Sequence, residues 1–209
     1  MKRFTLLLSI LLMSLQGFAD HNDKNAKSLI NEGKNHFLMK DYVEALFKFN
    51  QAIEVDQKAF EAYFMRARIK SHFEDRHGAM KDFNESLSLN KKFAEGYFER
   101  GKVKFDLQDY YGAIDDYTSA LEINPNLEEA LYHRGQAKLQ LEAFEDAIND
   151  CSKIIEINAK NVDAYYLRGI LRIEAGMTEA GCLDLSKAGE LGDIKAYEVI
   201  KEKCNQRCN

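Results

Sequence analysis

Large apolar, small apolar and polar positions along this chain follow a helical rhythm, and the whole pattern returns every 34 residues. Between residues 94 and 127, Tyr97, Gly101 and Lys104 fall on one side of a first helix. Ala113, Tyr117 and Ala120 fall on one side of a second. The same columns read Leu29, Gly33, Ala45, Phe49 and Ala52 in an earlier window. They read Tyr63, Ala67, Ala79, Phe83 and Ser86 in the next, and Leu131, Gly135, Ala147, Cys151 and Ile154 in a later one. Arg-Gly pairs at 100–101, 134–135 and 168–169 mark the period, with Arg66-Ala67 one step before them. The pattern predicts five windows of two helices each: 26–59, 60–93, 94–127, 128–161 and 162–193. One proline and the lack of alternating β-branched runs point to an all-α chain. A fixed period of this length implies a stacked array of one small unit and not a domain around a central pocket.

Each column has a physical reason. Gly or Ala in the first helix lets the second approach closely, and a large apolar group fills the space beside it. Lys40-Asp41, Glu74-Asp75 and Gln108-Asp109 predict turns whose aspartate caps the following helix. Asn90, Asn124 and Asn158 stand where second helices should stop, and the left-handed conformation is expected there, with Pro125 reinforcing one stop. Residues 194–204 predict a capping helix with Ala196, Val199 and Ile200 on its inner face. Residues 20–25 read as a flexible linker, and the last few residues as a loose tail.

Gly101, Tyr110, Ala113, Tyr117, Ala120 and Pro125 together resemble the signature of the tetratricopeptide repeat (TPR). Tyr63, Tyr97, Leu131 and Tyr165 stand where that family usually has Trp. Lys70, Lys104, Lys138 and Arg172 replace its second aromatic of the first helix. The resemblance implies a right-handed α-solenoid of five hairpins whose concave face is lined by first helices. On that expectation one column of the face reads Ile30, Phe64, Phe98, Tyr132 and Tyr166. A second reads Phe37, Ser71, Phe105, Leu139 and Ile173. Lys34, Arg68 and Lys102 lie beside them, and Glu61, Glu95, Glu129 and Asp163 form an acidic flank. Exposed aromatic rows mark interaction surfaces and supply interface anchors, so the expected partner is a protein or peptide segment. The competing reading is that the aromatics bury against neighbouring units. The TPR branch that grips C-terminal carboxylates uses Lys and Asn at defined positions. Here Ile30, Lys34 and Met65 occupy them, which speaks against that branch.

Charge is also periodic. Arg66, Arg100, Arg134 and Arg168 repeat in first helices, and Asp82, Asp116, Asp150 and Asp184 follow each by 16 residues. Lys70, Lys104, Lys138 and Arg172 come one turn after each Arg. The interleaving predicts ion pairs between neighbouring helices that set register, in preference to an anion-binding stripe.

The remaining composition bounds the setting. Lys2-Arg3, the apolar run Phe4–Leu15 and the small residues Gly17 and Ala19 fit a secretory signal peptide, residues 1–19, cut after Ala19. An uncleaved anchor is the rival reading. Cleavage removes two of the 29 basic residues against 34 acidic ones, so the formal charge moves from −5 to −7. That balance excludes nucleic acid as a partner class. Among the four cysteines, Cys182 and Cys204 lie on either side of the Gly192 turn and are expected to meet as a disulfide. Cys151 falls in a core column, and Cys208 in the tail. The five histidines share no column, and no phosphate loop, paired-carboxylate or zinc motif is present. No catalytic residue, cofactor or metal site is expected. The sequence reads as an exported, periplasmic or secreted, non-catalytic scaffold for a protein partner, helping to assemble an envelope or exported protein. Alternatives are a self-associating structural unit and a carrier of a small ligand or glycan.

Overall fold

The computed structural model describes residues 25–204; the leader read at 1–19, linker residues 20–24 and Cys208 lie outside them. Residue 25, the last position of the expected linker, is helical. The described chain is all-helical and forms two compact units, with the division after Lys92.

The first unit holds α1 (residues 25–38), α2 (Tyr42–Val55), α3 (Phe60–His72) and α4 (Arg76–Leu89). The second holds α5 (Ala94–Asp106), α6 (Tyr110–Ile123), α7 (Glu128–Gln140), α8 (Phe144–Ile157), α9 (Val162–Glu174), α10 (Thr178–Glu190) and α11 (Ile194–Val199). A π-helical turn, Ile200–Cys204, follows α11. Within each unit every helix packs on the next in sequence, as hairpins of an α-solenoid do.

The small-residue column explains the close pairing. A Cβ added at Gly33 would stand 2.6 Å from Phe49, at Gly101 2.7 Å from Tyr117, and at Gly169 2.8 Å from Leu185. Each contact joins a residue to one 16 positions later. Phe49, Phe83, Tyr117, Cys151 and Leu185 are all fully buried in that large column. At Cys151 the column is at its smallest beside a glycine, and a Cβ at Gly135 would meet nothing closer than 3.5 Å.

The turns correct one expectation. The left-handed conformation sits inside the hairpins, at Lys40 (φ 61°), Glu74 (62°), Gln108 (62°) and Glu142 (57°). Asp41, Asp75 and Asp109 then cap the following helices by accepting from Glu44, Gly78 and Gly112 N–H. Asn90, Asn124 and Asn158 are extended instead, with φ of −135°, −129° and −138°. Their side chains accept the N–H two residues on. The short amide satisfies the next donor without a left-handed backbone.

The array ends by changing turn type. Gly192 adopts φ 112°, as the hairpin turns do, and Asp193 caps α11. Ala196, Val199 and Ile200 pack on Leu185 and Ala188. The expected capping helix is therefore α-helical only to Val199. A disulfide joins Cys182 to Cys204, with Cα atoms 6.0 Å apart. Burial, with Asp150 adding to it, pushes the Cys151 thiol up to about 12, so it stays a protonated core group.

Candidate functional site

Four near-identical charge clusters hold the hairpins. Arg66 donates through Nε and Nη2 to both oxygens of Asp82 at 2.8 and 2.7 Å, and Lys70 adds a contact at 2.7 Å. Arg100 and Lys104 hold Asp116, Arg134 and Lys138 hold Asp150, and Arg168 and Arg172 hold Asp184 in the same way. The four aspartates are only 2–5% exposed. Burial alone would raise the Asp82 carboxyl; the hydrogen bonds and charges of Arg66 and Lys70 outweigh it and leave it below the usual carboxylate range. The third arginine nitrogen reaches back to the preceding hairpin: Arg66 to Asn50, Arg134 to Thr118, Arg168 to Ser152. These cations are consumed in register-setting. The first hairpin inverts the rung: Glu32 stands in the arginine column, Lys48 in the aspartate column, and they pair at 2.8 Å nearer to solvent. The inversion was readable at the 34-residue offset.

The aromatic rows behave otherwise than an open stripe. Phe64 is 3% exposed and Ile30 6%, so neither offers a free anchor. Phe64 packs on Phe83, Phe37 on Tyr42 and Phe105 on Tyr110. Phe98 lies between Tyr117 and His133, at 6.0 and 5.5 Å. Leu139 joins the Cys151 core and Tyr166 the Leu185 core. Tyr132 bridges the cores around Leu131 and Leu167. What remains accessible are the half-buried rims of Phe37 and Phe98, topped by cations: Arg68 over Phe37 at 5.1 Å and Lys102 over Phe98 at 5.3 Å. Lys102 also donates to Glu99 at 2.9 Å.

Two clefts open beside these rims, each between the N-terminal parts of successive first helices. In the first unit a cleft of about 500 Å³ lies between α1 and α3, floored by Ile30, Ala59 and Phe60. Lys27, Lys34 and Lys58 surround it with Asp56 and Glu61, and Lys34 pairs with Glu61 at 2.6 Å. In the second unit a cleft of about 370 Å³ lies between α7 and α9, bordered by Glu128, Glu129 and Asp163 with Tyr132 and His133. Asn161 donates to Glu128 at 2.9 Å while its carbonyl oxygen caps α9. Burial first and Lys102 second lower the His133 pKa, so the ring is neutral at physiological pH. Burial, with Asp163 adding to it, raises the Tyr132 phenol and keeps its hydroxyl a donor. Sequence reading singled out Ile30, Lys34, Glu61, Glu129, Tyr132 and Asp163 here. It missed Lys27, Lys58, Glu128 and His133. Their periodic offset from known columns was the available signal.

Models of the tetratricopeptide repeat match residues 60–93 and 128–161, and a TPR-repeat model matches 101–142. Solved structures share the fold. The crystal structure of YrrB, a TPR protein with an unusual peptide-binding site, is 21% identical with a TM-score of 0.77, covering 88% of this chain and 97% of that one. MamA residues 41-end from Desulfovibrio magneticus RS-1 is 17% identical with a TM-score of 0.74, covering 80% and 94%. A tetratricopeptide repeat protein from Parabacteroides merdae is 23% identical with a TM-score of 0.74, covering 84% and 70%. No match was found among curated protein sequences.

Proposed function

On a scaffold of tetratricopeptide repeats folded as an α-solenoid, we propose that this protein is a non-catalytic binding module for a protein segment. The segment lies along first-helix faces and reads the clefts beside them. The array is read as five repeats behind an export signal, and its role as assembly or positioning of an envelope or exported protein. The observation that carries this reading is the separation of duties among columns. Buried Arg–Asp clusters and glycine contacts use up the positions that hold the hairpins. The charged and aromatic cleft positions take no part in those contacts and lie open to a ligand. No helix among the described residues is long and apolar enough to cross a membrane, and the disulfide is consistent with export.

Crosslinking from the mature protein in its own cell, followed by identification of captured species, tests the proposal. Replacing Lys34 and Lys102 by Glu and the exposed Glu129 by Lys should abolish capture with helix content unchanged by circular dichroism. Full capture by that variant would refute a first-helix binding face.

A further inference from the structure

We propose that the Cys182–Cys204 disulfide is an exchangeable clamp, and that an external dithiol opens it to release the C-terminal helix from the last hairpin. This inference stands apart from the peptide-binding reading. Three observations lead to it. First, α11 has six residues and one buried side chain, Ala196, so it lacks the length to persist by itself. Second, besides the bridge the segment is held by a small apolar contact, Ala196, Val199 and Ile200 on Leu185 and Ala188, and the rest of it is loosely tied. Tyr197 rests over Gly189 yet is half exposed, Ile194 is 78% exposed, and Lys203 reaches Glu174 only at 4.0 Å between two half-exposed side chains. Third, the bridge is within reach. Both cysteines are partly exposed and line an open cleft of about 340 Å³ with Thr178, Glu179, Leu183 and Ser186.

The chemistry is ordinary exchange. A thiolate of the dithiol attacks one sulfur of the bridge, the S–S bond breaks, and the other cysteine leaves as a thiolate. The reagent's second thiolate then attacks the mixed disulfide, closes its own ring and frees the second cysteine. The chain gains two electrons and two protons as two thiols, and the dithiol is oxidised to a disulfide. Release uncovers the α10 side chains that Ala196, Val199 and Ile200 now cover, Leu185 and Ala188 among them. That face belongs to α10, whose packing on α9 does not depend on the bridge, so the event is local.

Amide hydrogen exchange on the full chain in a Cys208→Ser background, with and without millimolar dithiothreitol, tests the clamp. Opening of Cys182 and Cys204 is monitored by alkylation and mass mapping. Reduction should speed exchange across Ile194–Cys204 on the order of a hundredfold, the effect of losing a cross-link closing a loop of this size. Amides of α7 and α9 should keep their protection, and Cys151 should stay unalkylated. Cys204→Ser should reproduce the fast exchange without reductant. Three outcomes would each overturn the proposal: a bridge that resists dithiothreitol until the chain is denatured, unchanged exchange once both thiols are alkylated, or loss of protection throughout α7 and α9.

Discussion

The cleft between α1 and α3 and the cleft between α7 and α9 occupy the same repeat positions, 102 residues apart, yet their chemistry is opposed. Lys27 becomes Glu129, Ile30 becomes Tyr132, Asn31 becomes His133 and Ala59 becomes Asn161. The first is an apolar floor under three lysines and two carboxylates. The second is an aromatic wall under three carboxylates without lysine or arginine. Beside each, α3 and α7 keep the same holding pair, Arg66 with Asp82 in one unit and Arg134 with Asp150 in the other, and only the first hairpin, with Glu32 and Lys48, reverses its signs. The lesson is a division of labour. A repeat scaffold keeps its buried cross-links constant and varies the side chains that line its clefts, so one fold can present two recognition chemistries.

The largest perturbation should break the scaffold and leave the contrast intact. Asp150→Ala strands Arg134 and Lys138 beside a buried hole and should cost about 3–5 kcal/mol. A drop in urea midpoint with unchanged ligand preference of the remaining folded protein is the expected result. Acid should act on the same kind of cluster less severely. The Asp82 pKa is lower in the folded than in the unfolded chain, so its stabilising contribution is complete above the ordinary carboxylate value. It is lost as pH falls from about 4 towards the folded value. Urea midpoints measured from pH 6 down to pH 2.5 should fall below about pH 4, and Asp82→Asn should flatten that fall.

Next comes packing. Gly169→Ala forces a methyl to 2.8 Å from Leu185 and 3.0 Å from the Gly181 carbonyl, which should cost about 1–3 kcal/mol. The clefts themselves follow. Glu129→Lys with Asp163→Lys should weaken a fluorescent lysine- and leucine-containing peptide about tenfold, equivalent to about 1.4 kcal/mol. Lys27→Glu with Lys58→Glu should do the same to an aspartate- and leucine-containing one. Equal losses for both peptides with either variant would erase the distinction between the clefts. The smallest effect is expected at Gly135, where 3.5 Å of clearance lets Gly135→Ala stabilise by about 0.4–1 kcal/mol. Thermal melting of the two glycine variants side by side reads both signs.

Much of this was legible in the chain itself. The 34-residue offset alone places Gly33, Ala67, Gly101, Gly135 and Gly169 in one column. It also pairs each Arg with the Asp 16 residues on, because helical geometry turns fixed spacing into fixed direction. Capping by Asp41, Asp75 and Asp109 was readable for the same local reason. The turn backbone was less so. Asn90, Asn124 and Asn158 carry the residue type that tolerates left-handed geometry, yet the turns at Lys40, Glu74, Gln108 and Glu142 adopt it. Propensity records what a residue tolerates, and the closure of the hairpin decides where it is required.

Sequence by itself determined the period, the helical class, the small–large columns and the partners of the buried aspartates, since all of these follow from local periodicity. Only the tertiary structure decided that Phe64 and Ile30 are covered, that the capping helix ends in a π-helical turn, and that two clefts of opposite charge open at equivalent positions. Those outcomes depend on which neighbouring helix fills the space beside a side chain, and spacing along one helix carries no record of that.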